Sequence, residues 1–423
     1  MSQFKEERSS STNRLIGADG LRALACLVVM FHHLSQTIQV PRQTAAVQEL
    51  QSFLLLGNVG VSIFFVLSGY LLSYPFWKQY MHGGEFPSIK QYALRRAARI
   101  MPGYYVAFVV AMILVLALNI DAEHFWLRSL AGLTFTSGFH YITFFPSEID
   151  GPLWSISFEV FSYLLMPLFM YGLFRLFRNK RSFPAAMLYW AGVLVVIIAA
   201  NQAVHAAFTP DEELRGWQYG LIGGAKFWIP NYNPVGFFGH FAIGILASGL
   251  VCRLQKSERA AKKLRAAGLF DLLAAGSLLA AAVFLWAMRH EPEFGWSLQN
   301  QPFFFPFFTV LIGLFLMAAP LSRWVGGLVD NPFFRYTAKV SFGLYIWHHM
   351  IMKLANLYWL KDFQVGGVVR MDRWALLSAG VIVVSYGIAS LSYFFIEKPI
   401  LDRSHHDRSG PGSLRKNKVR KVA

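Results

Sequence analysis

Cysteine and charge are what this chain has least of. Two cysteines, Cys26 and Cys252, occur in 423 residues, both within apolar stretches. That excludes a disulfide framework and a cysteine-built metal cluster. Charged residues make up 15% of the chain, against about 25% in soluble proteins, too few for an ordinary water-facing surface. No internal repeat is detectable, which argues against a transporter assembled from inverted halves. No cleavable signal peptide is expected either. The first 14 residues are polar, and the apolar span after them is too long for a signal sequence and lacks a small-residue cleavage site, so it is expected to be an uncleaved anchor.

What is present is apolar length. The chain is 55% hydrophobic and 16% aromatic, and long apolar stretches recur along nearly all of it. The expected fold class is therefore all-α, a polytopic membrane protein with about ten transmembrane helices. The spans are predicted at 15–38, 53–77, 100–120, 151–175, 184–207, 234–253, 268–289, 303–322, 335–358 and 374–397. With the N-terminus inside, 29 of the 39 Lys and Arg fall on the cytoplasmic side and 12 of the 23 acidic residues in external loops. This asymmetry favours both termini being cytoplasmic. It also removes nucleic acid as the explanation of the formal charge of +16, because the charge is spread over short loops beside apolar spans. The expected organisation is a cytoplasmic segment 1–14, a membrane domain 15–400 and a basic, disordered cytoplasmic tail 401–423 that touches anionic lipid. The largest external loop, about 207–233, is too short to hold a core of its own. The aromatic run Phe303 to Phe308 is expected to face lipid and neighbouring helices.

Ionisable groups inside hydrocarbon cost about 2.5–3.5 kcal/mol each on insertion scales, so those within the spans stand out. Arg22, His32 and His33 lie in the first span. Arg22 and His33 are eleven positions apart, about 20° from one face and roughly 16 Å along a helix axis. His32 is rotated by about 100° from His33, so His33 is the better base and His32 the alternative. Arg96 and Arg99 share one helical face at the inner mouth of the third span, as a clamp on phosphate requires. Ser155 and Glu159 are i,i+4 neighbours entering the fourth span behind Trp154, and Ser341, Tyr345 and His348 or His349 form one stripe of the ninth. Glu397-Lys398-Pro399 closes the tenth span, where the proline stops the helix. Each has a plain structural alternative: a snorkelling arginine, a buried neutral imidazole, a helix cap, an interfacial aromatic belt. No metal site is expected, because the histidine pairs lack i,i+3 or i,i+4 ligand spacing and nearby carboxylates.

Six segments in order, Asp19-GLRALACLVVMFHH, Val61-SIFFVLSGYLL, Arg95-RAARIMPGYY, Gly151-PLWSISFEVFSYLLMPL, Ser341-FGLYIWHH and Tyr393-FFIEKP, resemble the integral-membrane acyltransferase family 3, which includes bacterial O-acetyltransferases of surface polysaccharides. The family's Arg-ten residues-His spacing is met by Arg22 and His33. The resemblance implies an acyltransferase of the bacterial inner membrane that moves an acyl group, usually acetyl, from cytosolic acyl-CoA to a hydroxyl of a carbohydrate or glycosylated acceptor. It implies His33 as base or transient acyl carrier, Arg22 on CoA phosphate or the thioester, Arg96 and Arg99 on the CoA phosphates, and Glu159 orienting the histidine or binding the acceptor. Trp154, Ser155, Tyr345 and His348 are then candidate substrate contacts. Some family members carry an extra C-terminal esterase-like domain, which this sequence is expected to lack. Two other functions compete: a proton-coupled transporter or flippase in which Arg22, His33 and Glu159 form a relay, and a non-catalytic scaffold whose basic loops bind lipid.

Overall fold

Polar caps and prolines set where the apolar runs become helices. Ser88 Oγ accepts from Gln91 N at 3.4 Å, Asn233 Oδ1 from Gly236 N at 2.9 Å and Asn331 Oδ1 from Phe334 N at 3.1 Å. At the last two starts Pro234 and Pro332 occupy the first helical position, where a missing N–H costs nothing. The computed structural model describes residues 15–208, 210–291, 297–298 and 301–406. The expected cytoplasmic segment 1–14 and residues 407–423 of the expected tail lie outside the described residues.

The helices are α1 Ala18–Ser35, α2 Ala45–Leu55, α3 Gly60–Met81, α4 Ile89–Ala117, α5 Phe125–Leu133, α6 Trp154–Leu176, α7 Phe183–Phe208 and α8 Gly220–Trp228. They continue as α9 Pro234–Lys256, α10 Glu258–Ala266, α11 Leu269–Met288, α12 Phe307–Ala318, α13 Val325–Val329, α14 Pro332–Tyr358, α15 Met371–Ser392 and α16 Lys398–His406. Among the described residues there is no strand, only an isolated bridge between Ile38 and Val368. Residues 401–406, expected as part of a disordered tail, continue helix α16.

Among the described residues, seven helical runs are long and apolar enough to cross a membrane. The predicted spans at 15–38, 303–322 and 335–358 are helical but fall short of that standard. Helix α12 has 12 residues. Helix α1 carries Asp19, Arg22, His32 and His33, and α14 carries Arg335, Lys339, His348, His349 and Lys353. The two most polar of the predicted spans are thus those that hold the histidine pairs, and they pack against each other. The expectation for the phenylalanine run also changes. Phe303, Phe304, Phe305 and Phe308 are buried, and only Phe307 is open, at 56% exposure.

Helices α3 and α9 form the tightest seam. A Cβ on Gly69 would stand 2.0 Å from the carbonyl oxygen of Phe241, and one on Gly244 would stand 1.9 Å from that of Val66. Small residues let the two backbones meet. Gly244→Ala is expected to destabilise the fold by about 1–3 kcal/mol through overpacking. Gly192→Ala, where nothing lies within 4 Å of the new Cβ, is expected to be neutral or stabilising. Thermal unfolding in detergent checks both, and equal melting of the two variants would contradict the seam.

Candidate active site

Five helices close around one cleft. Helix α1 contributes Arg22, α3 Ser68, α4 Arg96 and Arg99, α6 Ser155, Glu159 and Tyr163, and α14 Ser341 and Tyr345; Phe64, Phe65 and Leu71 supply apolar wall. Its volume is about 90 Å³, space for about three waters. Asp19, Tyr163, Arg96 and Arg99 all stand within electrostatic reach of Arg22. Three guanidinium groups share one lining with the single carboxylate of Glu159, which gives the cleft a net positive character.

The carboxylates temper this charge unequally. Glu397 is fully buried at the end of the π-helical turn Tyr393–Glu397 and lies 3.7 Å from Arg99 Nη1. Ser392 Oγ donates to its other oxygen at 3.5 Å. Arg99 is therefore held in place by a counter-ion, whereas Arg96 has no carboxylate at ion-pair distance among the described residues. Glu159 Oε1 accepts from Ser68 Oγ at 3.1 Å and from the Tyr163 hydroxyl. These bonds fix the Glu159 side chain in the cleft, and among the described residues no hydrogen bond joins it to a histidine. At the far wall the Ser155 and Tyr345 hydroxyls are 2.7 Å apart, and both reach the Pro152 carbonyl, at 3.1 and 3.2 Å.

Beyond Tyr345 stands a cluster of imidazoles. The ring of His348 is 6.3 Å from that of Tyr345, and the His33 ring is 5.0 Å from His348 and 5.2 Å from His349. His33 Nδ1 lies 3.0 Å from His348 Nε2, and His348 Nδ1 lies 2.9 Å from the carbonyl of Leu344. His349 Nδ1 is 3.2 Å from the Ile149 carbonyl and 3.3 Å from Gly151 N, which ties the turn before α6 to the cluster. His32 is occupied on both nitrogens. Its Nδ1 donates to the Leu55 carbonyl at 2.5 Å, and Gln36 Nε2 donates to its Nε2 at 3.2 Å. His33, partly exposed, makes no such bond at Nε2 to any described residue.

The cleft thus unites Arg22, Arg96, Arg99, Ser155, Glu159 and Tyr345 from four distant stretches of sequence. His348 meets His33 instead of lining the cleft. Trp154 goes elsewhere: 5% exposed, it stacks on Phe144 at 5.6 Å and packs edge-on against Trp228, Tyr232 and Phe237. No face of its indole is left for a sugar, so it is a packing residue of an aromatic cluster. Ser68, Tyr163 and the Arg99–Glu397 pair are the site features that sequence reasoning missed. Tyr163 was reachable as the i,i+4 partner of Glu159. Among the described residues no group of three or more His, Cys, Asp or Glu is placed to hold a metal ion.

Comparison with known proteins decides the family. The acyltransferase-3 family model, described as an acyltransferase domain, matches residues 15–390. The chain belongs to this family. It is 25% identical over 409 residues to the peptidoglycan O-acetyltransferase OatA of Listeria monocytogenes, covering 90% of this chain and 55% of that protein. It is 25% identical over 397 residues to YrhL of Bacillus subtilis, provisionally named a peptidoglycan O-acetyltransferase, covering 91% of this chain and 54% of the relative. A protein of Staphylococcus aureus strain COL, provisionally named an O-acetyltransferase, is 24% identical over 404 residues, covering 90% and 56%. The chain spans about half the length of the curated relatives it matches. No solved structure matches it.

Proposed function

We propose that this chain is an O-acyltransferase of the bacterial plasma membrane that takes acetyl from cytosolic acetyl-CoA and passes it to a hydroxyl of a cell-envelope glycan, peptidoglycan being the acceptor that its relatives' names suggest. One observation carries the reading: three arginines, a carboxylate and five hydroxyls converge in one cleft on the near side of a histidine pair. The positive-inside pattern puts the arginine end in the cytosol, where CoA is.

Each part then has a task. Arg96, without a carboxylate partner among the described residues, and Arg22 grip the pyrophosphate and 3′-phosphate with charge-assisted hydrogen bonds; Arg99, braced by Glu397, adds field. The pantetheine arm enters along the cleft, which must widen beyond its about 90 Å³ to admit it, and Glu159 and Ser155 accept from its amides. Extended, it matches the roughly 16 Å of helix between Arg22 and His33, which brings the thioester to the imidazole. His33 Nε2 removes the proton of the attacking hydroxyl as oxygen bonds to the thioester carbon. The C–S bond then breaks, and the same proton passes to the departing thiolate, leaving an ester and free CoA thiol.

Arg96→Ala is expected to raise the KM for acetyl-CoA about 10-fold, the loss of one charge-assisted contact, with kcat little changed. The assay is release of CoA thiol by the purified chain in liposomes, with muropeptides as acceptor. Movement of glycan without thiol release, or an unchanged KM in the variant, would contradict the proposal.

A further inference from the structure

The hydrogen-bond partner of the proposed base has its own protonation pattern dictated by the backbone. A carbonyl oxygen only accepts, so the 2.9 Å contact from His348 Nδ1 to the Leu344 carbonyl places the hydrogen of His348 on Nδ1. A neutral imidazole has one N–H, so His348 Nε2 carries a lone pair. His33 Nδ1, 3.0 Å away, must then be the donor. That assigns the single N–H of His33 to Nδ1 and leaves Nε2 as the basic nitrogen.

We propose that His348 is a positioning residue that locks His33 in the Nδ1–H tautomer and so presents Nε2 to the substrate. The inference deepens the acyltransferase reading and rests on it for its catalytic meaning. In water the two neutral tautomers of imidazole exchange freely, and which one a protein holds depends on what the other nitrogen bonds. The choice is made by the bond from His33 to His348, with His348 itself fixed by the Leu344 carbonyl one turn back along α14, together with a second acceptor for the His33 ring, the Val29 carbonyl one turn back on α1. As His33 Nε2 takes the hydroxyl proton, the Nδ1–H bond to His348 strengthens, because its donor is now charged. No proton leaves His33 toward His348, and the proton gained at Nε2 is the one later given to the CoA thiolate. The groups around the pair are His32 and His349 on either side, Tyr345 one turn inward, Lys353 one turn beyond His349, and Asp150 on the turn that holds His349.

Two substitutions separate positioning from bulk. His348→Gln offers an amide oxygen as acceptor to His33 Nδ1, whereas His348→Leu fills similar space and offers none. Nitrogen-15 NMR of histidine-labelled full-length protein in detergent, with His33 assigned by its loss in His33→Ala, reads the tautomer without any reaction. The expected spectrum has His33 protonated at Nδ1 in the wild type and in His348→Gln, and shifted toward Nε2–H in His348→Leu. Acetyl-CoA-dependent thiol release should fall about 10-fold in kcat for His348→Leu, as the competent tautomer becomes a minor one. It should stay within about 3-fold of wild type for His348→Gln, with the KM for acetyl-CoA unchanged in both.

A wild-type His33 protonated at Nε2 overturns the inference, as does an unchanged tautomer in His348→Leu. If His348→Leu does not fold, the wild-type and His348→Gln spectra still decide it. Absence of thiol release by the wild type would strike the acyltransferase reading, while the spectra judge the tautomer lock separately.

Discussion

His33→Ala is expected to lower acyl transfer by about 10²–10⁴-fold, the range of a general base, while the protein still inserts and binds acetyl-CoA. The loss should appear in kcat, because in the proposed reaction the imidazole acts on the reacting hydroxyl and leaves the phosphate contacts to the arginines. Removing the ring also strips His348 Nε2 of its donor. An unsatisfied nitrogen in the bundle costs about 1–3 kcal/mol, so a modest fall in melting temperature should accompany the kinetic defect. His32→Ala is the control. Its bonds run to Leu55 and Gln36, and its effect should be on stability with kcat near wild type. Thiol release measured for both variants at saturating acetyl-CoA tests the contrast, and equal defects would remove the distinction between the two histidines.

Arg22→Ala should cost about 100-fold in kcat/KM for acetyl-CoA, within the range for a hydrogen bond between charged groups. Its effect on stability has the opposite sign. Arg22, Arg96 and Arg99 crowd one cleft, and removing one cation relieves like-charge repulsion in a poorly solvated place. The unliganded variant should therefore melt above the wild type, the pattern of a site whose function is held at the expense of stability. Ligand reverses the order. At 100 times its Kd, CoA adds about 2.7 kcal/mol by mass action, which the variant forgoes at the same concentration. Arg22→Lys should fall between, because an ammonium keeps the charge without the two-pronged geometry. A destabilised Arg22→Ala that still shifts with CoA would refute this role.

The residues legible in the sequence were those whose polarity contradicts their surroundings. Arg22 and His33 declare themselves because a charged or titratable group in an apolar run needs a reason, and helical spacing alone relates Ser155 to Glu159. Pairings across the chain were not legible. His33 and His348 are 315 positions apart, and no spacing rule links them. Arg99 and Glu397 likewise meet only because α4 packs beside the turn after α15. Trp154 misled because an aromatic ring signals packing and sugar stacking equally. Hydropathy located helices at all ten predicted spans, yet α1, α12 and α14 fall below the standard for crossing a membrane. His348 is buried and Arg22, His32, His33 and His349 are partly so between neighbouring helices, a tertiary fact, whereas Arg335, Lys339 and Lys353 are exposed and lower the hydropathy of α14 directly.

The central claim is that an arginine-lined cleft receives an acyl donor and delivers its thioester to His33. A structure of the full chain with CoA bound tests it most directly. The account predicts phosphate oxygens within hydrogen-bonding distance of Arg96 and Arg22, about 2.7–3.2 Å, and the thiol sulfur beside His33 Nε2. CoA seated outside the cleft, or a thiol directed away from the histidine pair, would contradict it.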